Sequence, residues 1–291
     1  MKKILCLVLL ILISIPLTGC LKRDEFENVT VYTTSYPIEF LTNILYGYNS
    51  DVRSIFPAGV DIRTFELTEK QKRDFSRAAI FIYSGLTDEK KLAKDFINRN
   101  RNLRIIDVSF GLRYEHSVEE LWLSPNNFLM LAINIRNNLQ DFITNRFIID
   151  EIETNYRVRL EEPLSLMDAQ LRNIGRMSRN DNRNTIIASC RLFRFLENYG
   201  FEVIVLDEDL TVSSLNTITE NFRDDTFKYI FIRHNETPSE LINDLVDNHG
   251  AEILRFHVME NLTDAERNDN ENYFTIMGRN IELIKTATIG R

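Results

Sequence analysis

Residues 57–68 read Pro57-Ala58-Gly59-Val60-Asp61-Ile62-Arg63-Thr64-Phe65-Glu66-Leu67-Thr68. Pro57 and Gly59 are turn formers, and Thr68 followed three residues later by Gln71 carries the signature of a capping box. The spacing therefore predicts a loop that hands over to a helix at Glu69. Just before it, Val52–Phe56 reads as a short strand, and Ala79–Tyr83 reads as another beyond the helix. Strand, loop, helix and strand in this order make a βα unit of a parallel sheet.

The same alternation extends in both directions. Val29–Tyr32 and Leu103–Val108 are further strand candidates, and Ile38–Tyr46, Glu69–Arg77 and Lys90–Asn98 have helical spacing. From Asn126 to about Ser178 glycine nearly disappears. Phe128, Leu131, Ile135, Leu139, Ile148, Ile152, Tyr156, Leu164, Leu171 and Ile174 recur there at helical intervals. Pro163 lies inside that run and is expected to kink or interrupt it, because it lacks a backbone donor. Beyond the polar Arg179–Arg183 loop, strands are predicted at Thr185–Ala188, Glu202–Leu206, Tyr229–Ile232 and Glu252–Phe256. Helices are predicted at Leu192–Tyr199, Ser213–Phe222, Pro238–Asn248 and Glu271–Thr286. Thr237 as N-cap, with Pro238 and Glu240 following, marks the start of the third. The expectation is an α/β protein: two lobes with mainly parallel sheets flanked by helices, joined by a long interlobe helix. Residues 28–125 form the first lobe, 126–178 the connection and 179–291 the second lobe.

The first 27 residues have another character. Lys2 and Lys3 precede an apolar run ending in Leu17-Thr18-Gly19-Cys20. A charged start, a short apolar stretch and a small-residue exit make a secretory signal over 1–19. The last four residues resemble a bacterial lipobox, which implies lipidation of Cys20, a linker over 20–27 and attachment to the cell membrane on its extracytoplasmic side. Only Cys190 then remains as a thiol, so no intramolecular disulfide is available. The formal net charge of −8 argues against nucleic acid and against a polybasic hold on lipid.

Several segments, in order, resemble the zinc and manganese ABC-transporter solute-binding lipoproteins, which include the metal-binding adhesin lipoproteins. Residues 57–68 resemble P-x-G-x-D-P-H-x-[YF]-E-[PL]-[ST]. Ala78–Leu86 resemble the A-D-[LI]-[FV]-[IV]-Y-x-G-x strand and turn, and Glu120–Pro125 resemble H-x-W-[LM]-[DS]-P. Ala188–Gly200, Gly250–Leu254 and Asn272–Asn280 resemble three later landmarks of the family. The resemblance implies a non-enzymatic, monomeric solute-binding protein that holds zinc or manganese between two lobes and delivers it to an ABC permease in the membrane. It also implies that the long helix restricts lobe movement.

The family's ligand positions fall on Arg63, Glu120, Ser189 and His257. A guanidinium offers no lone pair, and a serine hydroxyl is a poor ligand, so Glu120 and His257 are the two candidate metal ligands. A metal site partly lost, or no metal at all, is the expectation. Arg63 and Glu120 are either surface charges or an ion pair formed where a metal would sit. Two further readings stay open: a non-transport surface or accessory lipoprotein, and a binder of an anionic ligand with Arg63 as counter-charge. His116, His234 and His249 read as ordinary surface or loop residues. No H-E-x-x-H, G-x-S-x-G or phosphate-binding glycine loop is present.

Overall fold

The computed structural model describes residues 24–207 and 210–290, so the predicted signal and Cys20 lie outside the described residues. The chain builds two four-stranded parallel sheets. In the first, β1 (Val29–Thr33), β2 (Ser50–Ser54), β3 (Ile80–Tyr83) and β4 (Arg104–Asp107) take the order β2-β1-β3-β4. In the second, β5 (Thr185–Ala188), β6 (Glu202–Val205), β7 (Tyr229–Arg233) and β8 (Glu252–Phe256) take the order β6-β5-β7-β8. All strand pairs are parallel, with β3 and β5 carrying the continuous apolar runs expected of strands covered on both faces. Each sheet reverses its winding once, between β1 and β3 and between β5 and β7. Crevices of this kind open at the C-terminal ends of the strands.

Helices α1 (Tyr36–Tyr46), α2 (Glu69–Phe75) and α3 (Glu89–Arg99) flank the first sheet. Thr68 and Gln71 form the expected capping box, which fixes the end of the 57–68 loop. After a short turn of helix, α4 (Glu120–Leu123), the connection has two limbs. The first is α5 (Pro125–Phe142). The second runs over residues 146–180 as α6 (Arg146–Tyr156), a π-helical stretch Arg157–Glu161, and α7 (Glu162–Asn180). Pro163 therefore does not interrupt the long helix. The wider π turn, in which the Glu162 amide reaches back to the Arg157 carbonyl, absorbs the hydrogen bond that proline cannot make.

Three further expectations are corrected. The segment Arg191–Tyr199 is 3₁₀ rather than α-helical. The helix α9 (Glu240–His249), which follows α8 (Val212–Arg223), starts two residues later than predicted, capped by Ser239, whose hydroxyl accepts the Ile242 amide. The described part of the 20–27 segment is docked. Phe26 is in the core, and Asp24 accepts the Thr144 and Asn145 amides at 2.7 Å each. The chain closes with α10 (Asp264–Asn268) and α11 (Tyr273–Thr288).

One apolar cluster runs through both lobes. It joins Val31, Ile80 and Ile106 of the first sheet, Leu164, Leu171 and Ile174 of the long helix, and Ile186, Phe231 and Phe256 of the second sheet. Parting the lobes would expose side chains whose burial is worth about 1.5–3 kcal/mol each. A shared core of this kind opposes wide hinge opening.

Candidate functional site

The 57–68 loop packs directly on the segment that follows β8. Gly59 donates its amide to the Leu262 carbonyl, and Asn261 donates its side-chain amide to the Pro57 and Val60 carbonyls at 2.7 and 3.1 Å. Gly59 has φ +73°, a backbone conformation that calls for glycine. From the other side, Trp122 donates its indole N–H to the Val258 carbonyl at 2.7 Å and the Tyr36 amide reaches the Glu260 carbonyl. Loops from both lobes are thereby stitched together around a small polar space.

Four charged side chains meet there. Arg63 and Glu119 come from the first lobe; Arg233, at the end of β7, and Glu260, beyond β8, come from the second. Arg63 Nη2 lies 2.9 Å from Glu260 Oε2, and Arg233 Nη2 lies 2.9 Å from Glu119 Oε1. Arg63 also stands 3.9 Å from Glu119 and 3.5 Å from Asp61. The two short pairs both cross between lobes. Glu119 is only 4% exposed at its side chain, whereas Arg63 is 52% exposed. Burial and the neighbouring Glu119 carboxylate push the Glu260 carboxyl up to about 7, since two nearby carboxylates resist joint ionisation. Burial also opposes the Glu119 charge, but the Ser117 hydroxyl and the Arg233 guanidinium hold this carboxyl below its ordinary range.

The expected Arg63–Glu120 pair does not form. Glu120 turns away from the cluster: its Oε1 accepts the His116 and Ser117 amides at 2.7 and 2.8 Å, and its Oε2 accepts the Glu115 amide at 3.0 Å. The neighbouring Glu119 supplies the carboxylate instead. Arg63 is also not a free counter-charge for an anion, because Glu260 already neutralises it.

His257 is equally committed. Its Nδ1 accepts the Met259 amide at 3.0 Å, which places the ring proton on Nε2, 2.8 Å from Glu266 Oε1. Neither nitrogen keeps a lone pair for a metal. Burial lowers the pKa of this ring. Ser189 donates to Glu236 Oε2 at 2.7 Å, and the same oxygen accepts the Arg233 amide. His234, read from sequence as an ordinary loop residue, stacks on His257 with ring centroids 3.9 Å apart. Burial, with His257 beside it, pushes its pKa down to about 4. His116 stands 4.0 Å from Glu197, and His249 stands 3.4 Å from Asp244 while its Nδ1 accepts the Arg223 Nε–H at 3.1 Å.

The donor set does not suit a divalent cation. Among the described residues no three His, Cys, Asp or Glu side chains gather in a way that could hold a metal ion. The two carboxylates that do converge already face two guanidiniums, whose field repels a dication. Sequence reasoning missed Glu119, Arg233, Glu236 and Glu260. The available signal was positional: Arg233 ends a strand and Glu236 and Glu260 follow close behind strands, where open α/β sheets gather ligands.

Comparison with known proteins places this geometry in context. The family model for ZnuA, the periplasmic zinc-uptake complex component A, matches residues 31–287. The zinc-binding lipoprotein AdcA of Streptococcus pneumoniae is 22% identical over 99% of this chain and 61% of its own length. The zinc-binding protein AdcA of Streptococcus pyogenes is 21% identical, over 99% and 62%. The chain thus spans a little over three fifths of these curated relatives. Among solved structures, the Zn(II)-bound ZnuA-like domain of S. pneumoniae AdcA superposes with a TM-score of 0.73 at 20% identity, covering 90% of this chain and 99% of that one. The metal-dependent lipoprotein YcdH of Bacillus subtilis gives 0.75 at 19% identity, covering 90% and 100%. At these identities the superpositions establish the fold: two parallel-sheet α/β lobes flanked by helices.

Proposed function

The chain belongs to the family of zinc-uptake complex component A, and from that premise we propose that it is the solute-binding component of an ABC transporter of the zinc and manganese type. It works without enzymatic chemistry. Lipid on Cys20 holds it at the membrane, and it presents its cleft to a permease as a monomer. The family match across residues 31–287 carries this reading. The shared core and the interlobe hydrogen bonds support it, since they suit a binding protein whose lobes shift little around their ligand.

The inherited metal position is rewritten in this member. Arg63 and Arg233 supply the positive charge that bound zinc would supply, and Glu119 and Glu260 receive it. The lobes are therefore held together by ion pairs in the absence of a cation.

One preparation tests both parts. Full-length tagged protein, cross-linked in its native membrane and purified, is expected to carry an ABC permease and less than one tenth of an equivalent of zinc or manganese. Recovery of intact protein without a permease would overturn the transport role. A full equivalent of metal that survives dialysis would overturn the rewritten site.

A further inference from the structure

A cavity of about 720 Å³ opens at the C-terminal edge of the first sheet. Ser35, just past β1, and Ser84, just past β3, both line it, so it occupies the point where that sheet reverses its winding. Its size is that of a small-molecule site. Phe56, Leu121, Trp122 and Leu131 give it an apolar wall, and Arg63 and Glu260 mark the end nearest the ion-pair cluster.

Two polar groups in its wall are incompletely served by the protein. The Ser84 side chain is buried, with the residue 5% exposed, and its Oγ has no hydrogen-bond partner. A buried hydroxyl in that state is uncommon in native structures and calls for a partner. Beside it, Glu89 Oε2 accepts the Thr34 hydroxyl at 2.6 Å and the Ser84 amide at 2.8 Å. No described Lys, Arg or His forms an ion pair with Glu89. The cations in the same wall are engaged elsewhere: Lys72 with Glu69 at 3.1 Å, Lys91 with Asp88 at 2.7 Å, and Arg63 with Glu260. A half-buried carboxyl without a counter-charge, next to a hydroxyl without a partner, matches a cationic donor.

We propose that this cavity binds a small organic amine with an apolar body, its ammonium group held by the Glu89 carboxyl and the Ser84 hydroxyl. The apolar body lies against Phe56, Leu121, Trp122 and Leu131. The site goes beyond the metal-type reading of the interlobe cluster and does not depend on it. Trp122 is the chain's single tryptophan, so its emission reports occupancy.

The test uses 4-phenylbutylamine as probe, with 4-phenylbutyrate and 4-phenylbutanol as anionic and neutral matches, in buffer containing EDTA so that no metal contributes. The amine is expected to change Trp122 emission saturably and to bind at least tenfold more tightly than the carboxylate. Glu89→Gln should weaken the amine at least tenfold. Ser84→Ala, which removes a hydroxyl that holds nothing in the fold, should weaken it about threefold. Absence of a saturable response, equal binding of amine and carboxylate, or unchanged affinity in Glu89→Gln would overturn the proposal. If Glu89→Gln does not fold, Ser84→Ala decides: an unaltered preference for the amine overturns it, and a reduced preference upholds it.

Discussion

Arg233→Met is the sharpest test of the interlobe cluster. The substitution keeps most of the side-chain volume and removes the charge that faces Glu119 at 2.9 Å. Glu119 is then left 4% exposed, with the Ser117 hydroxyl, the Glu260 carboxyl and the more distant Arg63 as its remaining support. Leaving a buried charge without its partner costs about 3–5 kcal/mol, whereas removing both partners of such a pair is often nearly neutral. For a chain of this size each kcal/mol lowers Tm by about 2–4 °C, so the single variant should melt roughly 6–20 °C below the parent. The Arg233→Met/Glu119→Gln double variant should recover most of that loss, giving a coupling of at least about 2 kcal/mol in the double-mutant cycle. Calorimetric melts at pH 7.5 and fixed salt supply the four values. A single variant that loses under about 1 kcal/mol, or a double variant no better than the single one, would refute the view that these charges form a buried interlobe latch. Arg63→Met serves as the contrast. Its guanidinium is half exposed, so its loss should cost about 1 kcal/mol or less.

Three other outcomes follow from the geometry. Burial, opposed in part by the Thr34 hydroxyl and the Ser84 amide, pushes the Glu89 carboxyl up to about 7 from an ordinary 4.5. The unfolded chain then ionises this group at lower pH than the folded one, so the Glu89 contribution to stability is fully present below about 4.5 and is lost as pH rises through 7. The loss is at most about 3 kcal/mol, and water in the open cavity reduces it. Glu89→Gln should flatten that slope in urea melts from pH 4.5 to 8. Glu260 titrates in the same window in both proteins, so the difference between the two curves isolates Glu89; superimposable curves would contradict the assignment. Glu120→Ala removes the acceptor for three backbone amides and should cost about 2–4 kcal/mol by denaturant titration, with a loss below 0.5 kcal/mol counting against its structural role. Free zinc at a hundred times the Kd of a site would add about 2.7 kcal/mol of stability; here neither EDTA nor zinc should move Tm by more than about 2 °C.

The strand–helix alternation, the end of the 57–68 loop at Thr68 and the two-lobed architecture are legible in the chain because they rest on local chemistry. Hydrophobic period, capping pairs and turn formers act over a few residues, and Thr68 with Gln71 shows that directly. The unsuitability of Arg63 as a metal ligand is equally a property of one side chain. Which carboxylate faces Arg63 is of another kind. Glu119 and Glu120 are adjacent, and one residue of helical turn rotates a side chain by about 100°. That step sends Glu120 to the Glu115–Ser117 amides and Glu119 into the cleft. Likewise, Arg233 and Glu260 are separate in sequence and meet only because β7 and β8 are neighbours in one parallel sheet. The lone pairs of His257 are spent on Met259 and Glu266, contacts that exist only once the turn after β8 has folded. The sequence by itself determined the scaffold and the loss of a ligand at Arg63. The tertiary structure alone decided which charges meet between the lobes, because Arg63, Glu119, Arg233 and Glu260 converge from four distant segments.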